Sequence, residues 1–228
     1  MNLKGILIDF GGTLAYVNPN TYNQYENMLV ATLKKHGHST CLEEVDSTLA
    51  KLYKRDTSGG FNDLEQYWET FLKEQGITAE NKLERDLDAV RKHLWTKAFR
   101  LYDHVFPTLS SLREKYKLAL VSNCSMGMRD AIDALDLTRF FEDLVLSYEV
   151  GVRKPEEQIY LAALKTVELK ASECIFVADE ISDLEGARAM GMMTLLVRQG
   201  TSTFCEVNNP CFKPDFECNR VSEIVQFL

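Results

Sequence analysis

Five short apolar runs set the tightest limit on what this chain can fold into: Ile6-Leu7-Ile8, Leu118-Ala119-Leu120-Val121, Leu144-Val145-Leu146, Cys174-Ile175-Phe176-Val177 and Thr194-Leu195-Leu196-Val197. They are strand-length and have turn residues at their ends. Helical patterns near Leu109–Tyr116, Met128–Leu135, Gln158–Leu164 and Leu184–Met190 precede the second to fifth runs. Short apolar strands alternating with helices predict an α/β fold, a doubly wound parallel sheet covered on both faces. Asp215-Phe216-Glu217 adds a short edge strand, and Val221, Ile224, Val225 and Leu228 predict a final helix.

The first interval breaks this rhythm. A crossover between parallel strands needs about a dozen residues, yet residues 9–117 separate the first run from the second. The surplus reads as helical. Tyr22, Tyr25, Leu29 and Leu33 share one face, ended by Gly37; Leu42, Val45, Leu49 and Leu52 make a second stripe. Leu64, Trp68, Phe71 and Leu72 make a third, opened by Asn62 with Glu65 in a capping-box pattern and closed by Gly76. Leu83, Leu87, Val90 and Leu94 make the fourth. Four amphipathic helices bury their stripes on one another as a small bundle. The expected division is a sheet domain at about residues 1–15 and 101–228, with a helical domain inserted at about 16–100.

The formal net charge of −8 argues against binding to a nucleic-acid backbone. It leaves room for small anionic substrates, because a pocket can be locally positive. No run of about 18 apolar residues predicts a membrane span, and the start lacks the apolar stretch of a leader. The six cysteines contain no Cys-x-x-Cys. The expectation is a cytoplasmic protein with reduced, mostly buried thiols and no membrane partner. Oligomeric state has no signature in the sequence.

In an open α/β sheet, ligands bind beyond the carboxyl ends of the strands. Asp9 follows the first run, Ser122-Asn123 the second, and Asp179-Glu180 the fourth, with Asp183 four residues on; Arg153-Lys154-Pro155 lies in the loop after the third. These groups converge if the sheet is parallel. Asp9, Asp179 and Asp183 would then repel by about 1–4 kcal/mol per pair in screened surroundings unless a cation joins them. Hard oxygen donors favour Mg²⁺, which binds one or two carboxylates together with a phosphate. The phosphate would be met by Lys154, Ser122 and backbone N–H groups around Phe10 to Thr13, exposed by the Gly11-Gly12 turn.

Asp9-Phe10-Gly11-Gly12-Thr13-Leu14, Val121-Ser122-Asn123, Arg153-Lys154-Pro155 and Ala178-Asp179-Glu180 through Asp183 resemble, in order, the four motifs of the haloacid dehalogenase-like hydrolases. The resemblance covers nearly the whole chain, and the insertion resembles the helical cap of the phosphoglycolate-phosphatase-like branch. It implies a phosphatase of small phosphorylated metabolites in which Asp9 attacks phosphorus. Mg²⁺ would be held by Asp9, the Gly11 carbonyl and Asp179, with Asp183 assisting. Gly11, Gly12, Thr13, Ser122, Asn123 and Lys154 would bind the phosphoryl group, and the cap would exclude water and select the leaving group. One departure matters: phosphatases of this family usually carry a second aspartate where this chain has Gly11. General acid–base help is worth roughly 10²–10⁴-fold. Tyr16 and Glu180 are the nearest substitutes in sequence. A weak enzyme that binds a phosphorylated ligand, or a phosphonate hydrolase, is the alternative.

Plainer roles stand beside these. Asp183 and Ser122 also suit helix caps, and Trp68 and Trp95 suit the core. Arg55 and Phe61 flank the Gly59-Gly60 loop and are candidates for substrate contact. The four histidines share no ligand spacing, Cys205, Cys211 and Cys218 match no zinc pattern, and Cys124 reads as packing.

Overall fold

The computed structural model describes residues 2–199 and 211–228. In chain order the elements are β1 (Gly5–Ile8), β2 (Ala15–Val17), α1 (Pro19–Lys35), α2 (Leu42–Asp56), α3 (Leu64–Glu74), α4 (Asn81–Leu94) and β3 (Phe99–Leu101). There follow α5 (Val105–Arg113), β4 (Lys117–Ser122), α6 (Met128–Ala134), β5 (Asp143–Leu146), α7 (Ser147–Val150) and α8 (Glu157–Val167). The chain continues with β6 (Cys174–Ala178), α9 (Ile181–Ala189), β7 (Met193–Val197), β8 (Phe216–Cys218) and a terminal 3₁₀ segment, Val221–Gln226.

Six strands form one parallel sheet in the order β5-β4-β1-β6-β7-β8. Alternate side chains point to opposite faces of a strand. Ile6 and Ile8, Leu118 and Leu120, and Ile175 and Val177 accordingly enter one apolar layer, with α5, α6 and the C-terminal segment. Leu7, Ala119, Val121, Cys174 and Phe176 enter the other, against α8 and α9. The strands read as continuous apolar runs because both faces are covered. β1 sits between β4 and β6, where the direction of winding reverses, and a crevice opens beyond its carboxyl end. Ile8 pairs with Leu120 and with Val177. That register brings Asp9, Ser122 and Asp179 to the same edge.

Helices α1–α4 bury a third apolar cluster that includes Tyr25, Leu29, Leu33, Val45, Leu52, Trp68, Phe71, Leu72, Leu83 and Leu87. An antiparallel ladder unannounced by the sequence, β2 with β3, joins this unit to the sheet and straddles both expected boundaries. Its three-residue strands are too short to show an alternating pattern.

Several local expectations shift. Leu42 is exposed, so the second stripe begins at Val45. The α3 cap is one residue later than expected: Asp63 accepts from the Gln66 amide, and Gln66 accepts from the Asn62 amide, both at 2.8 Å. α5 starts at Val105, four residues early, with Pro107 in its first turn where the missing N–H costs nothing. The final helix is a 3₁₀ segment; at three residues per turn Val221 and Ile224 face the core while Val225 turns outward. No helix among the described residues is long and apolar enough to cross a membrane.

Candidate active site

The Asp9 loop is wound tightly enough to aim several groups at one point. The Phe10 carbonyl accepts from the amides of Leu14 and Ala15, and the Gly12 amide donates to Ala15. Gln199 secures the loop from outside, donating to the Thr13 carbonyl at 2.6 Å and accepting from the Val221 amide. The two glycines of the turn differ. Gly12 has φ +76°, and a β-carbon there would lie 2.0 Å from Asp179 Oδ2. Only glycine lets the Asp179 carboxylate pack against the loop. A β-carbon on Gly11 would meet nothing within 4 Å.

At the centre, Lys154 Nζ lies 2.5 Å from Asp9 Oδ1 and 2.6 Å from Asp183 Oδ2, all three side chains being buried. Thr13 Oγ1 stands 3.4 Å from both Asp9 Oδ2 and Asp179 Oδ1, linking the two carboxylates. Two carboxylates thus flank one ammonium, and Thr13 ties Asp179 to the first of them. Burial alone would lower the Lys154 pKa, but the charges of Asp183 and Asp9 reverse this and hold the amine well above the usual lysine range. Asp9 is raised by burial; Lys154 pulls it down and Asp183 pushes it up. Asp179 is pushed up to about 8 by burial, then by Asp9 and Glu180, against a smaller pull from Lys154.

The remaining expected residues fall into place unevenly. Ser122 is buried at the end of β4, near enough to the Cys124 thiol to pull its pKa down against burial. Asn123 was expected on the phosphate, but its side chain is committed to the Lys154 backbone: Oδ1 accepts from Lys154 N at 2.7 Å and Nδ2 donates to Lys154 O at 3.0 Å. It places the lysine, and the peptide that follows, Lys154–Pro155, is cis. The Asp183 carboxylate pairs with Lys154, and its carbonyl accepts from Tyr160 at 2.7 Å. Among the described residues no set of three or more His, Cys, Asp or Glu forms a metal cage. The oxygen set facing the loop is Asp9 with Asp179.

Tyr16 on β2 packs against Tyr102 with the rings tilted and their centres 5.1 Å apart, and Tyr102 feels the charge of Asp179. Glu180 lies close enough to Asp179 to raise its pKa. Arg55 and Phe61 are not brought to this cluster. The guanidinium sits 4.2 Å over the Phe61 ring and Nε donates to the Gly60 carbonyl, while Phe61 is buried among α1–α4. They brace the Gly59-Gly60 loop. Sequence reasoning missed Tyr53, one turn before Asp56 on α2. Its phenol is pushed up to about 12, chiefly by burial, and feels Cys124, Arg153, Glu180 and Asp9 although 37% of the residue stays open. No motif marks it. Cys205 lies outside the described residues, Cys211 is exposed, and the Cys218 thiol donates to the Arg220 carbonyl.

The solved 2-haloacid dehalogenase from Pseudomonas syringae pv. Tomato DC3000 shares the fold, with a TM-score of 0.75 and 20% identity over 98% of this chain and 97% of that one. A HAD family enzyme of Bacteroides thetaiotaomicron, solved with magnesium and inorganic phosphate, gives 0.64 and 20% over 89% and 98%. In sequence, the glyceraldehyde 3-phosphate phosphatase of Methanopyrus kandleri is 27% identical over 99% of this chain and 97% of its own length. The haloacid dehalogenase-like hydrolase family model matches residues 3–191. With sequence motifs, sheet order and match extending over most of its length, this chain belongs to the haloacid dehalogenase-like hydrolases.

Proposed function

We propose that the chain is a Mg²⁺-dependent phosphomonoesterase acting on small phosphorylated metabolites, with Asp9 as nucleophile. The observation that carries this is the surplus of carboxylate over ammonium around Lys154. Asp9, Asp179 and Asp183 present hard oxygens in a largely buried space where, among the described residues, Lys154 supplies the positive charge. Such a set fits Mg²⁺, which keeps most of its waters and needs only one or two carboxylates. Asp9, Asp179 and the Gly11 carbonyl would hold it, with Asp183 assisting through Lys154. When bound, the ion supplies positive charge to the phosphoryl oxygens. A haloacid would not call for a cation, so Asp179 against Gly12 favours a phosphate ester.

The chain's own groups have separable tasks. Lys154 favours the ionised form of the Asp9 carboxylate against burial and faces the incoming phosphate. Ser122 and the amides of Gly12 and Thr13 orient the phosphoryl oxygens. An Asp9 oxygen forms the bond to phosphorus while the ester P–O bond breaks, and the leaving oxygen takes up a proton from water. Water then attacks the aspartyl-phosphate, releasing inorganic phosphate and restoring the carboxylate. The α1–α4 unit acts as the cap that shields these steps from bulk water. Tyr53, the Tyr16–Tyr102 pair and Glu180 stand around the phosphate site, where the leaving group would lie. The name of the Methanopyrus relative makes glyceraldehyde 3-phosphate a first substrate to try.

Gly11 favours one second reading. Without an acid at this position, the chain would bind a phosphorylated ligand and turn it over slowly. Steady-state hydrolysis of a panel of phosphate esters with Mg²⁺ separates the two. Turnover that Asp9→Asn abolishes supports the first; phosphate binding without turnover of activated esters supports the second. Activity unchanged in Asp9→Asn rejects the mechanism.

A further inference from the structure

The stretch after Ser122 is anchored at three points. Asn123 holds the Lys154 backbone. The Cys124 amide donates to Ser147 Oγ at 3.0 Å, and that hydroxyl donates back to the Cys124 carbonyl. Both anchors belong to the sheet domain. The third does not: the Met126 amide donates to Asp56, the last residue of α2, with both carboxylate oxygens at 3.1 Å. Asp56 is 2% exposed, and the Met126 side chain is buried in the apolar cluster of α1–α4.

The neighbouring contacts fix the same junction. Gly127 has φ +83°, and a β-carbon there would lie 1.8 Å from Arg91 Nη1. Arg91 of α4 is buried, held by Asp88 through Nε at 2.8 Å, and reaches within 3.7 Å of Asp130 on α6. On the other side of the crevice Gly59 rests on Gly151, three residues before Lys154; a β-carbon on Gly59 would lie 2.5 Å from Gly151 Cα. The end of α2 is therefore seated on the loop that leads from Ser122, and the turn after it on the loop that leads to Lys154.

We infer that Asp56 is a positioning residue for the reaction proposed above: its hydrogen bond to Met126 makes the placing of the Ser122 loop conditional on the four helices being seated on the sheet domain. The inference rests on Ser122 binding the phosphoryl group. An N–H buried without its acceptor is costly, so the loop keeps this geometry only while Asp56 is present. Lifting the helices returns Asp56 to water and removes the outer anchor of residues 124–127. The phosphate site is then complete only when water is excluded from it, which protects a bound phosphoryl group from premature loss.

Amide exchange and phosphate binding together test this. In the wild-type protein the Met126 amide should exchange as slowly as the amides of β4. In Asp56→Ala, residues 123–127 should exchange about tenfold faster, the loss expected for one buried hydrogen bond, with β4 unchanged. KM for an ester and the dissociation constant for inorganic phosphate with Mg²⁺ should rise by a similar factor, kcat changing less. Asp56→Asn keeps an oxygen acceptor and should stay within about twofold of wild type. Unchanged exchange at 123–127 in Asp56→Ala would overturn the inference, as would an Asp56→Asn protein as impaired as Asp56→Ala. If Asp56→Ala does not fold, the wild-type measurement decides alone, because a Met126 amide that exchanges like a surface loop refutes the anchor. If wild type neither binds phosphate nor hydrolyses esters, the proposed function fails on its own, and the exchange arm still reports on Asp56.

Discussion

Gly11 offers the sharpest perturbation, because the fold does not require a glycine there. A β-carbon at this position meets nothing within 4 Å, and its φ lies outside the left-handed region, unlike that of Gly12 at +76°. An aspartate can therefore be built into the loop without moving it. If the missing acid limits turnover, Gly11→Asp should raise kcat on an alkyl phosphate by roughly 10²–10⁴-fold, the usual worth of a placed general acid. That corresponds to about 3–5 kcal/mol of barrier. An aryl phosphate, whose leaving group needs little protonation, should gain far less. The new carboxylate adds to a site already rich in them, and repulsion of about 1–4 kcal/mol at short range should lower the melting temperature without Mg²⁺. Added Mg²⁺ should restore it. The assay is steady-state kcat for glycerol phosphate and p-nitrophenyl phosphate in wild type, Gly11→Asp and Gly11→Ala. The reasoning is refuted if Gly11→Asp accelerates neither ester, accelerates both equally, or is matched by Gly11→Ala.

Three further outcomes follow from the same geometry. Gly12→Ala should lose about 1–2 kcal/mol for its left-handed backbone and displace the Asp179 carboxylate, so denaturation should show lower stability and Mg²⁺ titration should no longer shift the melting temperature. Wild type should gain about 2.7 kcal/mol at 100 times the Mg²⁺ dissociation constant. Asn123→Ala removes two hydrogen bonds to the Lys154 backbone, worth about 1–3 kcal/mol together, and should lower kcat as the lysine loses its placement; urea unfolding and kinetics check both. Asp56, pushed up to about 7 by burial against pulls from the Met126 amide and Arg91, should make stability pH-dependent. Its raised pKa means the protonated form is favoured in the folded protein, so stability should fall as pH rises from about 4, the ordinary carboxylate range, to about 7 and level off above that. The full span is at most ~4 kcal/mol at 1.36 kcal/mol per unit. Tyr25, Tyr67 and Cys124, which feel Asp56, stay protonated throughout, and Arg91 stays charged. Asp56→Asn should make the fall shallower than in wild type in thermal melts, the remainder coming from Asp179 and Asp9, which are raised as well.

What the sequence made legible is what one segment decides. Ile6-Leu7-Ile8 and its four counterparts announce buried strands because covering both sheet faces demands unbroken apolar runs, and a parallel sheet then fixes which residues meet at its edge. Asp9, Ser122, Lys154, Asp179 and Asp183 were readable on that ground. Asn123 was assigned to phosphate although it holds Lys154, because a side-chain amide at a strand end suits either task and only the loop's path separates them. Asp56 carries no mark in the sequence, because nothing in its neighbourhood distinguishes a carboxylate facing water from one buried on an amide 70 residues away. Tyr53 belongs to the same class: it lies off the second apolar stripe, and only the docking of α2 turns it toward Asp9. Motifs record contacts between strand ends that the sheet alone brings together. Contacts between the helical unit and the sheet domain depend on how two separately patterned bodies are seated, and Gly59 on Gly151 and Arg91 on Gly127 show that the seating is specified by absent β-carbons. Glycine in a turn has the same appearance whether it serves the turn or a neighbour's approach, so the seam between the two bodies stays hidden until they are placed together.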